Sequence, residues 1–388
     1  MPSDRRAEFL LDPELTFLNH GSFGACPRAV FHAQLEIRKR LERDPVRFLA
    51  RDLWAELDAA RVVAANFVGV APSDFVFVRN ATSAVNTVLA SFAFQSGDEL
   101  LLTDHGYAAC RNAADYWTSR AGARVVEARV PWPVTSEDDI VSSVLGAVTP
   151  RTRLAILDHV TSPSALIFPI ERLTRGLKEK GVPVLVDGAH APGFLPLDVQ
   201  TIGADYYTGN FHKWCCAPRG AAFLAAAPAR QPSLRPLVVS HGATAKWPER
   251  ARTWLEFDWL GTEDPTAYLS VPAALDYIHN ALAGGVATLM ERNRALALEA
   301  RSLLIERFGA TPLGPEDMLG TMAALMFPSA RWPAAETLQR CLLDEHRIQV
   351  PIFQLPGRSE FVLRVSANIY NSRADYERLA TVLQQLML

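Results

Sequence analysis

Apolar positions change their spacing along this chain, and the changes mark its parts. Thr16 to His20 reads as a short extended lead-in, GSFGACP as a Gly/Pro-rich loop, and a helical region opens at Pro27. That region runs to about Phe67 with a break at Asp44-Pro45. From Phe75 short β-branched or aromatic runs take over. They predict strands at Phe75–Val78, Glu99–Thr103, Arg124–Ala128, Leu154–Asp158, Val182–Asp187 and Asp205–Thr208. Helical spacing fills most gaps, starting at Ser83, continuing through Tyr116, then over Ser136–Leu145 and Glu171–Lys180. This alternation predicts βαβ units and a mostly parallel sheet with both faces buried. Ligands of such sheets lie at the carboxyl ends of the strands.

From about Asp264 the texture shifts again. Helices at Pro265–Leu282 and Gly285–Phe308, a strand at Ala323–Phe327 and a helix at Ala334–His346 come first. Strands at Ile348–Phe353 and Phe361–Ser366 and a helix from Arg373 complete a smaller α+β unit. The expected division is a large domain over 20–258 and a small one over 259–388, with 1–19 packing near the latter. The stretch SHGATAKWPERARTWLEFDWLGTED between them is polar, aromatic and aperiodic, a pattern that points to function. Ser240–Phe257 and Pro351–Ser359 are expected to face a substrate. His241, Lys246, Arg250 and Arg252 fit either an acid-bearing substrate or a solvated basic loop.

With 388 residues, 49% hydrophobic and 21% charged, the chain can build a core without staples. Lys+Arg 39 against Asp+Glu 42 leaves a net charge of −3, which argues against nucleic-acid or polybasic membrane surfaces. No apolar run approaches the ~18 residues of a membrane span. MPSDRRAEFLLDPELTF lacks the apolar core of a signal peptide. The five cysteines are odd in number and include no C-x-x-C, so neither a disulfide framework nor a zinc site is expected. A cytoplasmic α/β enzyme without a metal is the expectation.

The chemistry narrows on lysine, of which there are five: Lys39, Lys178, Lys180, Lys213 and Lys246. Lys213 differs from the rest, since DYYTGNFHKWCCAPRGAAFL places it just past a strand in apolar, aromatic surroundings that lower an amine's pKa. A lysine snorkelling from a strand end fits that segment equally well. Three other strand ends change the balance. Asp187 closes VLVD and is followed by His190, a place where a carboxylate can hold a cationic ring nitrogen. Thr82 and Ser83 open a helix after FVFV, where free N–H groups suit a phosphate as well as an ordinary cap. His105 and Tyr107, in LTDHGYAACRNA, follow another strand and offer a ring to stack on a planar cofactor.

With these residues in order, the chain resembles the fold-type I pyridoxal-phosphate enzymes. Within them it is similar to the class V aminotransferase-like family, isopenicillin N epimerase-like branch. The similarity spans nearly the whole chain and rests on NHGSFGACP, NATSAVNTVL, DGAHAPG, GNFHKWCCAPRG, LGTEDP and LRVSANIYN. The resemblance implies pyridoxal 5'-phosphate bound covalently to Lys213, with Asp187 on the pyridine nitrogen and His190 on the ring hydroxyl. It implies a phosphate cup of Thr82, the backbone at Ser83, Asn210 and His212, and a stacking ring from Tyr107, with His105 as the fallback. Thr262 would reach the phosphate of a neighbouring subunit, making a homodimer with composite sites. Arg364 would clamp the substrate α-carboxylate beside Asn19. The implied activity is epimerisation at the α-carbon of an amino acid or short peptide, with C–S β-lyase or aminotransferase chemistry as alternatives. Lys213, Asp187 and Tyr107 are the expected catalytic set. Persulfide chemistry is disfavoured, because no cysteine lies between Cys341 and Arg364.

Overall fold

The computed structural model describes residues 4–328, 330, 332–355 and 359–387. Residues 356–358 of the expected substrate-facing stretch therefore lie outside the described residues.

Seven strands form the large sheet: β2 (Phe75–Val78), β3 (Glu99–Thr103), β4 (Arg124–Ala128), β5 (Thr152–Asp158), β6 (Val184–Gly188), β7 (Tyr206–Asn210) and β8 (Ala222–Ala226). A two-residue strand, β1 (Thr16–Phe17), precedes them. The order across the sheet is β2-β8-β7-β6-β5-β3-β4. All are parallel except β8, which runs antiparallel to both β7 and β2. The exception follows from the connection. β7 and β8 are joined by the short return 211–221, too brief for the helical crossover that a parallel pair needs. Every residue of β3, β6, β7 and β8 is buried, as strands covered on both faces must be. The α/β, fold-type I architecture expected from the sequence is the one observed.

A second sheet has the order β12-β13-β10-β9, from β9 (Thr311–Pro312), β10 (Met322–Pro328), β12 (Ile352–Gln354) and β13 (Glu360–Ser366). The helices Gly285–Phe308 and Arg373–Leu386 pack together beside it, the first of them against β10. β11 (Ile348–Gln349) pairs instead with β1, in parallel. The sequence suggested one strand over Ile348–Phe353. The chain divides it at Val350-Pro351, where proline cannot donate to a ladder and its carbonyl takes the Arg364 N–H.

Three other expectations are corrected. GSFGACP is not wholly loop, since His20–Phe23 forms one helical turn. It closes at Gly24, whose φ of +70° suits glycine and where a Cβ would lie 2.2 Å from the His212 carbonyl oxygen. Pro265–Leu282 breaks into Thr266–Leu269 and Val271–Asn280, with Pro272 in the first turn of the second helix. The aperiodic segment contains a helix, Arg252–Phe257. Ionic contacts, more than an apolar stripe, fix that segment. Arg61 is wholly buried and grips Asp258 through two bonds of 2.8 and 2.7 Å, with its guanidinium over the Trp254 ring. Arg250 joins Asp258 to Asp58.

Candidate active site

Four neighbouring strands end at one cavity of about 700 Å³. Lys213 stands on its wall in the β7–β8 return, its Nζ 3.0 Å from His190 Nε2. The Trp214 indole N–H donates to His190 Nδ1 at 3.3 Å, which leaves the imidazole proton on Nε2, facing the amine. Behind the lysine, buried His20 contacts the Lys213 carbonyl oxygen through Nε2 at 2.9 Å and the Tyr370 hydroxyl through Nδ1 at 2.8 Å. Burial first, and then the charge of Arg364, bring the Lys213 amine down to about 7, with Asp187 opposing. Burial and the Lys213 charge hold His190 well below its usual range. Both groups are therefore neutral a little above pH 7, as a nucleophilic amine must be. Capture of an aldehyde cofactor by cofactor-free protein is expected to accelerate as pH rises through about 7. An ordinary lysine would keep accelerating toward its reference pKa of about 10.4. Stopped-flow absorbance across pH measures the difference.

Asp187 ends β6 and is 3% exposed. Its Oδ1 accepts the Ala189 N–H at 2.9 Å and its Oδ2 accepts the Cys110 thiol at 3.0 Å. Both donors are uncharged, so among the described residues this buried carboxylate has no ion-pair partner. Asp158, one strand over on β5, pairs with Asp187 in register and also lines the cavity. The sequence reading passed over Asp158 and Cys110. LAILD and VLVD both end in aspartate, and that repetition was the available signal.

The phosphate-cup candidates meet at the start of the helix Ala81–Ser91. Asn80 caps it by accepting the Ser83 N–H at 2.8 Å, and Asn210 Oδ1 accepts the Ala81 N–H at 2.9 Å. Thr82, Asn210 and His212 line the cavity, and Ser83 does not. His212 gives its Nδ1–H to the Ala221 carbonyl at 3.0 Å, and burial brings it to about 4. A neutral His212 can thus receive a proton or accept a bond through Nε2.

Arg364 is buried on β13 among neutral partners. It donates to the Ser162 carbonyl at 2.5 Å and hydroxyl at 3.2 Å, to Ser22 Oγ at 3.2 Å and to Asn19 Oδ1 at 3.4 Å. Its Nε has no partner among the described residues. Burial brings its pKa down to about 10, so it stays charged at neutral pH. Arg364 and Asn19 do not line the cavity, whereas Ser162 and Ser22, which hold the guanidinium, do; among the described residues its acceptors are all uncharged. Ser162 and Ser22 were not foreseen, although Ser22 lies within the NHGSFGACP motif.

Tyr107 lines the cavity and is 45% exposed. His105 does not line it. Its ring stacks on Trp132 at 3.7 Å and its Nδ1 lies 2.7 Å from Ser164 Oγ, so this fallback ring faces into the core. Thr262 is exposed and off the cavity wall, while Glu263 and Asp264 beside it reach the rim, paired with Arg79 and Arg38. His241, Lys246, Arg250 and Arg252 also lie off that wall. Arg250 and Arg252 are tied to Asp58, Asp258 and Glu256. The arginines that do line it are Arg38, Arg79 and Arg219.

A family model described as aminotransferase class V matches residues 41–379. The chain belongs to the class V aminotransferase family. Among curated members, it is 34% identical to an isopenicillin N epimerase of Streptomyces clavuligerus, over 99% of this chain and 98% of that one. It is 36% identical to an isopenicillin N epimerase of Amycolatopsis lactamdurans, over 99% and 98%. It is also 31% identical to an L-cysteine desulfhydrase of Arabidopsis thaliana, over 95% and 87%. A solved cystine C–S lyase, in complex with its product cysteine persulfide, superposes with a TM-score of 0.84 at 20% identity, covering 96% of this chain and 98% of that one. The class V cofactor is pyridoxal phosphate. The cavity fits it: a neutral amine for its aldehyde, a buried carboxylate wanting a cation, a helix start for its phosphate and an open aromatic ring. When bound, it supplies an electron sink for a bond broken at the amino-acid α-carbon. No described helix is long and apolar enough to cross a membrane.

Proposed function

We propose that this class V enzyme removes the α-proton of an L-amino acid or short peptide and returns it with inverted configuration, as an epimerase. The observation that supports this most is the pairing of two protic side chains on one cavity wall. Lys213 follows β7 and Tyr107 follows β3, on the two sides of the β6–β5 floor. Inversion needs a proton taken on one side and given on the other. Lys213, neutral a little above pH 7, is the base, and Tyr107 or a water it orients is the donor. With pyridoxal phosphate bound, Asp187 would pair with the pyridine nitrogen, His190 would orient the ring hydroxyl, and Thr82, Asn210 and His212 would hold the phosphate. Arg364, with Asn19 beside it, binds the α-carboxylate. Arg364→Lys should raise KM for the amino acid by roughly 10- to 100-fold, the worth of a charge-assisted bond, with a smaller change in kcat.

A second reading, C–S β-elimination, is favoured by the similarity to the desulfhydrase and needs no second acid. Turnover in deuterated water separates the two. An epimerase places deuterium at Cα and yields both stereoisomers. Stoichiometric pyruvate from a cysteine derivative, with no inverted amino acid, would replace epimerisation by elimination.

The assembly proposed with this function is a homodimer in which Thr262 serves the partner's phosphate. Light scattering is expected to give twice the 42.7 kDa chain mass, and Thr262→Ala to weaken cofactor retention. A fully active monomer would contradict it.

A further inference from the structure

We propose that Asp158 is a second, proton-bearing carboxyl group of the cofactor site, a positioning residue that steadies the turn carrying Tyr107 and leaves Asp187 as the single negative charge on the floor. The inference rests on Asp187 being the partner of the ring nitrogen.

The geometry starts with register. Asp158 and Asp187 are paired residues on adjacent parallel strands, so their side chains leave the same face about 4.8 Å apart. Both are buried, at 6% and 3% exposure. Two ionised carboxylates at that spacing repel strongly in a dry site, and one keeps its proton. The titratable groups facing Asp158 are Asp187 of β6, Cys110 of the helix Ala108–Arg120 and Lys213 of the β7–β8 return. Lys213 does not neutralise the pair, because its amine is bonded to His190 and is neutral above about 7.

The surroundings say which carboxyl holds the proton. Asp187 is approached by two donors, the Ala189 N–H and the Cys110 S–H, and donors favour the ionised form. The thiol stays a thiol, since burial first and then the Asp187 charge push it well up. At Asp158, burial first and the Asp187 charge second hold the carboxyl well above the usual range, against a backbone bond from Tyr107. That bond gives the residue its positioning role. The turn lies directly on the carboxyl group: a Cβ on Gly106 would sit 3.4 Å from Asp158 Oδ2 and 3.0 Å from the Thr103 oxygen. Asp158 is thus attached to the turn that sends Tyr107 into the cavity and His105 into the core.

Infrared spectra of cofactor-free protein at pH 7 test this without turnover. A protonated-carboxyl carbonyl band is expected in the wild type and should vanish in Asp158→Asn. In Asp187→Asn, where the repulsion is gone, the band should titrate at lower pH. Stability supplies a second readout. A carboxyl whose folded pKa is raised binds more protons folded than unfolded, so its cost grows as pH rises above about 4. Asp158→Asn should therefore raise Tm at pH 7, with a gain that fades toward pH 4. Asparagine keeps an acceptor for Tyr107, whereas Asp158→Leu does not and should weaken cofactor affinity roughly tenfold. With ¹⁵N-labelled cofactor, the ring nitrogen should stay protonated in Asp158→Asn and lose its proton in Asp187→Asn. A band that survives Asp158→Asn, or a ring nitrogen deprotonated by it, overturns the proposal. A ring nitrogen still protonated in Asp187→Asn fails the reading of Asp187 alone, and the infrared band then still decides Asp158.

Discussion

Borohydride treatment of the cofactor-loaded protein is expected to leave label on the peptide containing Lys213 and on no other lysine. Lys213→Ala is expected to keep the fold and lose turnover by at least about 10²–10⁴-fold, the worth of a positioned general base, before counting its covalent role. The argument is local. The lysine lies on the wall of the large cavity, its amine is neutral a little above pH 7, and its backbone carbonyl is pinned by His20. Removing the side chain deletes no ion pair among the described residues and leaves His190 bonded to Trp214. Circular dichroism and Tm should therefore stay near wild type while turnover falls. Label on a second lysine, or a variant with near-normal rates, would end the assignment.

The next largest effect is expected from Asp187→Asn. Truncating one partner of a buried, hydrogen-bonded charge pair costs about 2–5 kcal/mol. At about 1.36 kcal/mol per decade, that is roughly 30- to 5,000-fold in turnover. Asparagine can still take the Ala189 N–H and turn its amide toward Cys110, so the strand end should survive. Steady-state kinetics on the folded variant measure the loss. Activity within a few-fold of wild type would mean that the carboxylate serves only the turn that follows it.

Much of this site was legible because its residues sit where strands stop. Runs such as FVFV and VLVD announce their own ends, and the residue after a buried parallel strand faces the ligand edge. Choosing between His105 and Tyr107 was a different problem. They are two residues apart in one turn, and only the path of that turn, laid on Asp158, sends one ring to Trp132 and the other to the cavity. Asp158 stayed hidden for a related reason: its closeness to Asp187 depends on β5 lying beside β6, which the order of strands along the chain does not state. The basic residues of the aperiodic segment fitted two readings in the sequence, and the structure ties two of them to carboxylates near and far: Arg252 to Glu256 four positions on, Arg250 to Asp258 and to Asp58. Arg250 is spent on Asp58, 192 positions away, and is not available to a substrate.

The clasp around Lys213 has a bearing on when the protein can become an enzyme. His20 joins residues 193 and 350 positions further along, and the guanidinium of Arg364 reaches back to Asn19 and Ser22. During synthesis the β7–β8 return emerges well before Tyr370 and Arg364, so a nascent chain carries its reactive amine without the walls that orient it. Loading is therefore expected to be a post-translational event, late and close to all-or-none. Ribosome-bound chains halted before β10 should fail to retain the aldehyde that the finished protein captures.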